Sequence, residues 1–232
     1  MRSPRAELGW GQRLWRGALG IALLPAAAAL TLALADVIRE AAAGFGDAAR
    51  PSPFWGLPTG FALWLLLWAL LPRPVRAYVL AHELTHAFWA LLLGDRVGAI
   101  AVTRRGGSVR VSRRRFLALL APYFFPLYTL LVLAAYGVAA LYTDPTPYAA
   151  LWLAAVGWTW GFHCTFTLSM LAEDQSDIRY AGALLAYVTI YLFNAAGIAM
   201  WLAAVTPVGL RRLAARWIGH LRWMFEAVRS LS

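Results

Sequence analysis

Six apolar runs divide this chain and leave it few ways to fold: Gly17–Val37, Phe54–Leu71, Val75–Leu93, Phe116–Leu141, Ala149–Leu171 and Ile178–Val205. A helix that crosses a bilayer needs about 20 mostly apolar residues. In lipid its backbone groups must be satisfied within the segment. The runs therefore predict an all-α polytopic membrane protein of about six transmembrane helices, forming one membrane domain rather than a soluble domain with a tail. The composition fits that reading, with 61% hydrophobic residues and a mean hydropathy of +0.61 over 232 residues.

The segments between the runs fill in the plan. Met1–Arg16 is a basic, Trp-containing lead suited to the membrane interface, and the run after it reads as an anchor helix rather than a signal peptide. Ile38–Pro53 is a polar loop, Pro72-Arg73-Pro74 ends the second run, and Asp144-Pro145 with Pro147 marks a tight turn. Pro122 and Pro126 fall near the start of the fourth run, where neighbours must satisfy the carbonyls they free. After Pro207, Leu210, Leu213, Ala214, Trp217, Ile218 and Leu221 alternate with Arg211, Arg212, Arg216 and Arg222 as in an amphipathic helix lying on a membrane. Trp10, Trp15, Trp55, Trp217 and Trp223 read as interface anchors.

All 21 basic residues are Arg, and the formal net charge is +10. The arginines sit in short loops and tails, a placement that suits lipid headgroups and argues against nucleic acid. They do not orient the chain, because six spans put eleven on one side and ten on the other. Cys164 is the only cysteine, so no intrachain disulfide forms, and it reads as a packed small hydrophobe.

His82-Glu83-Leu84-Thr85-His86 lies inside the third run. On a helix, His-Glu-x-x-His puts two imidazoles one turn apart on one face, within reach of one metal ion. The Glu then lies beside the open coordination position, where it can take a proton from water. Ionisable groups at bilayer depth are a functional signal by default. A buried face satisfied by neighbours is the bland alternative, but three polar groups in lipid need partners, and a metal provides for them together.

Between the third and fourth runs, Val97–Thr103 and Ser108–Ser112 are β-prone and joined by Arg104-Arg105-Gly106-Gly107, which predicts a membrane-associated β-hairpin. Its edge can pair with an unwound substrate strand. As a basic loop it can also hold lipid headgroups, and both uses are compatible.

The order of these features resembles the site-2 protease family of intramembrane zinc metalloproteases, especially its small sporulation-factor-processing branch. The resemblance rests on His82-Glu-Leu-Thr-His86, the hairpin with Gly106-Gly107-Ser108-Val109-Arg110-Val111, and Leu120-Ala121-Pro122 opening the next run. It covers roughly Val75 to Ala204. That implies an accessory region over 1–74, a metalloprotease core over 75–206 and a basic amphipathic tail over 207–232. It also implies one Zn2+ per chain, held by His82, His86 and an acidic residue from a later segment.

The family's Asn-x-x-Pro and Leu-Asp-Gly are not present here. In their place stands His163 to Ile178, which offers Asp177, Asp174 and His163 as third-ligand candidates. Asp177 leads because it opens a new helix, as the family's Asp does, and a helix N-terminus favours a carboxylate. On an unbroken helix His163 and Asp177 would be about 21 Å apart, too far to share an ion. His163 also reads as a neutral histidine bonded to a neighbouring carbonyl, or as a group supporting a ligand or the oxyanion. Glu173 reads as a solvated helix-end charge.

The expected function is an intramembrane zinc metallopeptidase with Glu83 as general base. Its partners are a transmembrane substrate and the bilayer of a bacterial or archaeal cell membrane. Two other classes remain: a non-proteolytic metal-binding membrane protein, such as a pseudoprotease or assembly factor, and a transporter using the histidines for ions. Retention of Glu83 argues against the first, and the lack of a second polar pathway argues against the second.

Overall fold

The computed structural model describes residues 9–44, 55–103, 106–206 and 208–230. The described residues form α1 (Trp10–Gly44), α2 (Gly56–Leu70), α3 (Val75–Leu92), β1 (Val97–Thr103), β2 (Gly106–Val111), α4 (Phe116–Leu120), α5 (Leu127–Tyr142), α6 (Ala149–Leu171), α7 (Ser176–Ala181), α8 (Ala183–Val205) and α9 (Gly209–Arg229). The described residues are mostly helical with one antiparallel hairpin, as expected. The chain divides into two units, Met1–Ala48 with Ser176–Ser232, and Ala49–Gln175.

The expectation of six spans is corrected. Among the described residues, two helices are long and apolar enough to cross a membrane, Trp10–Glu40 and Ala183–Ala203. A third counts only if the bent pair Phe116–Tyr123 and Leu127–Tyr142 is taken as one span. The other runs fall short for separate reasons. α2 has 15 residues, about 22 Å at the helical rise, against a hydrocarbon core of about 30 Å. α3 carries Arg76, His82, Glu83 and His86 within 18 residues. α6 is long enough at 23 residues, but glycines, threonines and His163 dilute its apolar character. The sixth run does contain a crossing helix, α8, but Gly182, at φ 86°, cuts off the first part of the run as the short α7.

In the first unit α1 runs through the predicted Ile38–Pro53 loop as far as Gly44; residues 45–54 lie outside the described part. It packs against α8 and α9 around Leu30, Ala33, Val37, Ala195, Ala199, Ala203 and Leu213. The small side chains let the helices approach closely, as in membrane helix pairs. Thr31 and Tyr191 share a hydrogen bond of 2.5 Å. Glu40 takes Arg212 at 2.9 Å and also Arg216, and His220 meets Asp36 at 2.8 Å. These contacts hold one flank of α9. Leu210, Ile218, Trp223, Phe225 and Val228 remain exposed along it.

In the second unit the dominant pairing is α2 with α6. Gly56 and Gly60 on α2, four residues apart, press on the carbonyls of Ala150 and Ala154, while Gly157 and Gly161 on α6 press on Leu57 and Trp64. A Cβ at Gly60 would run into the Ala154 carbonyl, so two glycine pairs at i,i+4 set this close approach. Trp64 Nε1 donates to Thr165 Oγ1 at 2.9 Å. Trp64, Tyr78, Val79, Phe162 and Phe166 form the core that joins the pair to α3.

α3 ends in a Schellman motif. Gly94 sits at φ 78°, its N–H reaches Leu91 O at 2.9 Å, and Asp95 N–H reaches Ala90 O at 2.8 Å. Asp95 is buried and clasps the hairpin base. It accepts from Arg115 Nε at 2.6 Å and Ser112 Oγ at 3.2 Å, with Arg113 at 3.7 Å. The hairpin pairs Thr103 with Gly106 and Val102 with Gly107, with a register shift between Val97 and Ile100. Its second strand starts two residues earlier than the sequence suggests, and Arg104 and Arg105 lie outside the described residues. In the 142–148 turn, hydrogen bonds from the Thr146 side chain and backbone N–H hold the Asp144 carboxyl below the usual carboxylate range.

The expected fourth span is broken. α4 gives way to a 3-10 turn at Ala121–Tyr123, and α5 restarts after Pro126 at 82° to the first piece. Neither Pro122 nor Pro126 has an N–H with which to continue a helix.

Candidate metal centre

The helical repeat places Tyr78, His82 and His86 in one ladder on α3, each four residues from the next. Within it, His82 Nε2 and His86 Nε2 stand 3.1 Å apart. The other nitrogen of each ring is engaged. His86 Nδ1 donates to the Ala118 carbonyl at 2.8 Å, and His82 Nδ1 shares a hydrogen bond of 3.2 Å with the Tyr78 hydroxyl. A carbonyl only accepts, so the proton of neutral His86 is on Nδ1 and its Nε2 presents a lone pair. That lone pair faces the second imidazole nitrogen. Two nitrogens on a tetrahedral zinc with bonds of about 2.0–2.1 Å lie about 3.3 Å from each other. The imidazole pair fits a zinc ion.

The Ala118 carbonyl is available for a reason written in the sequence. In an α-helix it would accept from the residue four positions on, which is Pro122, and proline has no N–H. Ring packing adds to the restraint. Tyr123 meets His82 edge-on with centroids 5.5 Å apart, and Tyr78 stacks on Phe166 at 4.6 Å. An orienting hydrogen bond on the far ring nitrogen is a common companion of a histidine that ligates metal.

Glu83, the predicted base, is 7% exposed and turned toward β2. Gly107 lies directly against it. A Cβ there would come within 2.6 Å of Glu83 Cγ and 2.7 Å of its Oε1. The second glycine of the hairpin is thus required by contact with Glu83. It is not needed for its own backbone angle, since the left-handed position is Gly106 at φ 139°.

The other candidates fall in different places. His163 is buried on α6 and lines a small cavity together with His82. α6 stops at Leu171 and α7 begins at Ser176, so the unbroken helix that would have joined His163 to Asp177 does not form. Asp174 is exposed in the link between these helices, and Asp177 is half-buried in the first turn of α7. Cys164 is free and partly buried.

Sequence reasoning missed Tyr78, Gly107 and the Pro122–Ala118 device. Tyr78 was within reach of it, being one turn before His82 on the same face. The chain matches no protein-family model, no curated protein and no solved structure.

Proposed function

We propose that this chain is an intramembrane zinc metallopeptidase of the site-2 protease type, hydrolysing a peptide bond in or near a substrate's transmembrane segment. The observation that carries the reading is the pair of imidazole nitrogens at 3.1 Å on rings pinned from behind, with buried Glu83 between them in sequence. His82, His86 and Asp177 would hold the ion. This set offers two imidazole nitrogens and one carboxylate oxygen, one atom from each side chain. Three nitrogen and oxygen ligands with a position left open are the composition of catalytic zinc sites.

When bound, zinc supplies a Lewis acid that polarises the scissile carbonyl and acidifies water. The protein supplies the rest. Glu83 accepts a proton from the attacking water and returns it to the departing amine. Tyr78 and the Ala118 carbonyl keep the two rings in the ligating orientation. The edge of the two-stranded hairpin, beside Glu83, receives the substrate as an added strand. A helical amide has its backbone bonds closed, so the substrate segment must unwind first, and helix breakers in it favour cleavage. α1 and α8, both long and apolar enough to cross, would anchor the chain in the membrane.

The test is metal analysis together with cleavage of a helix-destabilised membrane peptide. Purified protein should carry one zinc per chain, lost on His82→Ala, His86→Ala or Asp177→Ala. Glu83→Gln should keep the zinc and lose cleavage by at least about 10²-fold. A Glu83→Gln variant that cleaves like wild type overturns the proposal.

A further inference from the structure

A small cavity opens beside His82, with room for about one water molecule. Tyr78 and His82 of α3, Phe125 of the bend, Tyr128 of α5, and Phe162 and His163 of α6 form most of its wall. Four hydroxyl-bearing residues line it, and each is engaged: Thr85 donates to Ala81 O at 2.7 Å, Thr159 to Ala155 O at 2.8 Å and Tyr128 to Ala77 O at 2.8 Å, while the Tyr78 hydroxyl shares a hydrogen bond with His82 Nδ1 at 3.2 Å. His163 differs from them. It is 8% exposed, and its Nε2 is fully buried with no hydrogen-bond partner. A buried polar nitrogen left unpaired is destabilising, and native structures keep few of them. One held on the wall shared with His82 points to a partner that arrives with the substrate.

We propose that His163 is a catalytic residue whose Nε2–H donates a hydrogen bond to the oxyanion formed when water attacks the scissile carbonyl beside His82. The proposal rests on the peptidase reading above. In the step, a C–O bond forms from the water oxygen, the carbonyl π pair moves onto the carbonyl oxygen, and Glu83 takes the water's proton. His163 stabilises that negative oxygen and keeps its own proton throughout. Collapse restores the carbonyl, breaks the C–N bond, and Glu83 protonates the leaving amine. The cavity is small and partly walled by Phe125 and Phe162, a setting in which such a bond counts for more than in bulk water.

The experiment uses the full chain, zinc-loaded and reconstituted in lipid, with His163→Leu and His163→Gln beside wild type. Three quantities are read: zinc content, kinetics on a helix-destabilised membrane peptide, and affinity for a phosphinic peptide whose charged oxygen mimics the oxyanion. Removal of one oxyanion donor lowers kcat by about 10²–10³-fold. His163→Leu should therefore keep its zinc, hold KM within about threefold, lose kcat to that extent, and bind the phosphinic peptide correspondingly worse. His163→Gln, which restores an N–H donor, should recover part of both. In wild type, phosphinic peptide should shift the nitrogen-15 resonance of His163 Nε2, a readout that needs no variant to fold. Loss of zinc from either variant, full activity in His163→Leu, equal activity in the Leu and Gln variants, or an unmoved resonance overturns the proposal. Zinc-loaded wild type that cleaves nothing sinks the peptidase reading and this one together. Wild type that cleaves, beside a Leu variant that cleaves as well, sinks only this one.

Discussion

Pro122 has no N–H for the carbonyl four residues before it, and that carbonyl, Ala118 O, is the one His86 Nδ1 reaches at 2.8 Å. One proline thus frees an acceptor, and the acceptor sets both the tautomer and the angle of an imidazole. Pro122→Ala supplies a competing N–H. Its expected effect is a fall in zinc affinity of about 10–100-fold, read by chelator competition, with helix content unchanged. His82 and His86 were legible as a pair in the sequence because a spacing of four puts them on one helical face, and Glu83 was read from the motif they frame. Ala118 was not, since it lies 32 residues from His86 and its carbonyl becomes available only where the fourth run breaks. The same limit hid the unpaired nitrogen of His163, whose surroundings come from α3, the bend, α5 and α6.

Among the elements, the hairpin was the one most readily foreseen, because β-prone residues flank a glycine-containing turn between helical runs. What its sequence did not disclose is the contact of Gly107 with Glu83, at 2.6–2.7 Å from any added Cβ. Gly107→Ala must push β2 or the carboxylate aside. The expected result is intact zinc binding with kcat reduced by about tenfold or more, since small misplacements of a base are costly. Unchanged kcat would show that the hairpin yields without disturbing Glu83. The helices were recognised, but their lengths were misjudged. Apolar residues continue past the ends of α2, while Pro72 and Pro74 stop the helix after 15 residues. The glycine pairs of α2 and α6 were present in the sequence and carried no signal until the two helices were seen as partners. Spacing of four is meaningful only against a specific opposing backbone.

On the scale of the whole molecule, hydropathy foresaw a helical chain with helices able to cross a membrane and overstated their count. Two helices, or three with the bent pair, have the length and apolarity to cross, while the helix that bears the motif does not. A membrane-held chain should stay with the membrane pellet through an alkaline carbonate wash and come away only with detergent. Release by carbonate alone would remove the bilayer from the proposal. The junction of α3 with the hairpin adds a consequence. No slack separates the two, because the Gly94 turn closes onto Asp95 and Asp95 is gripped by Arg115 and Ser112. Any strand that tugs on the hairpin therefore applies torque to the helix bearing both imidazoles. On the proposed function, docking and ligand alignment would be parts of one lever, with its fulcrum at a single aspartate.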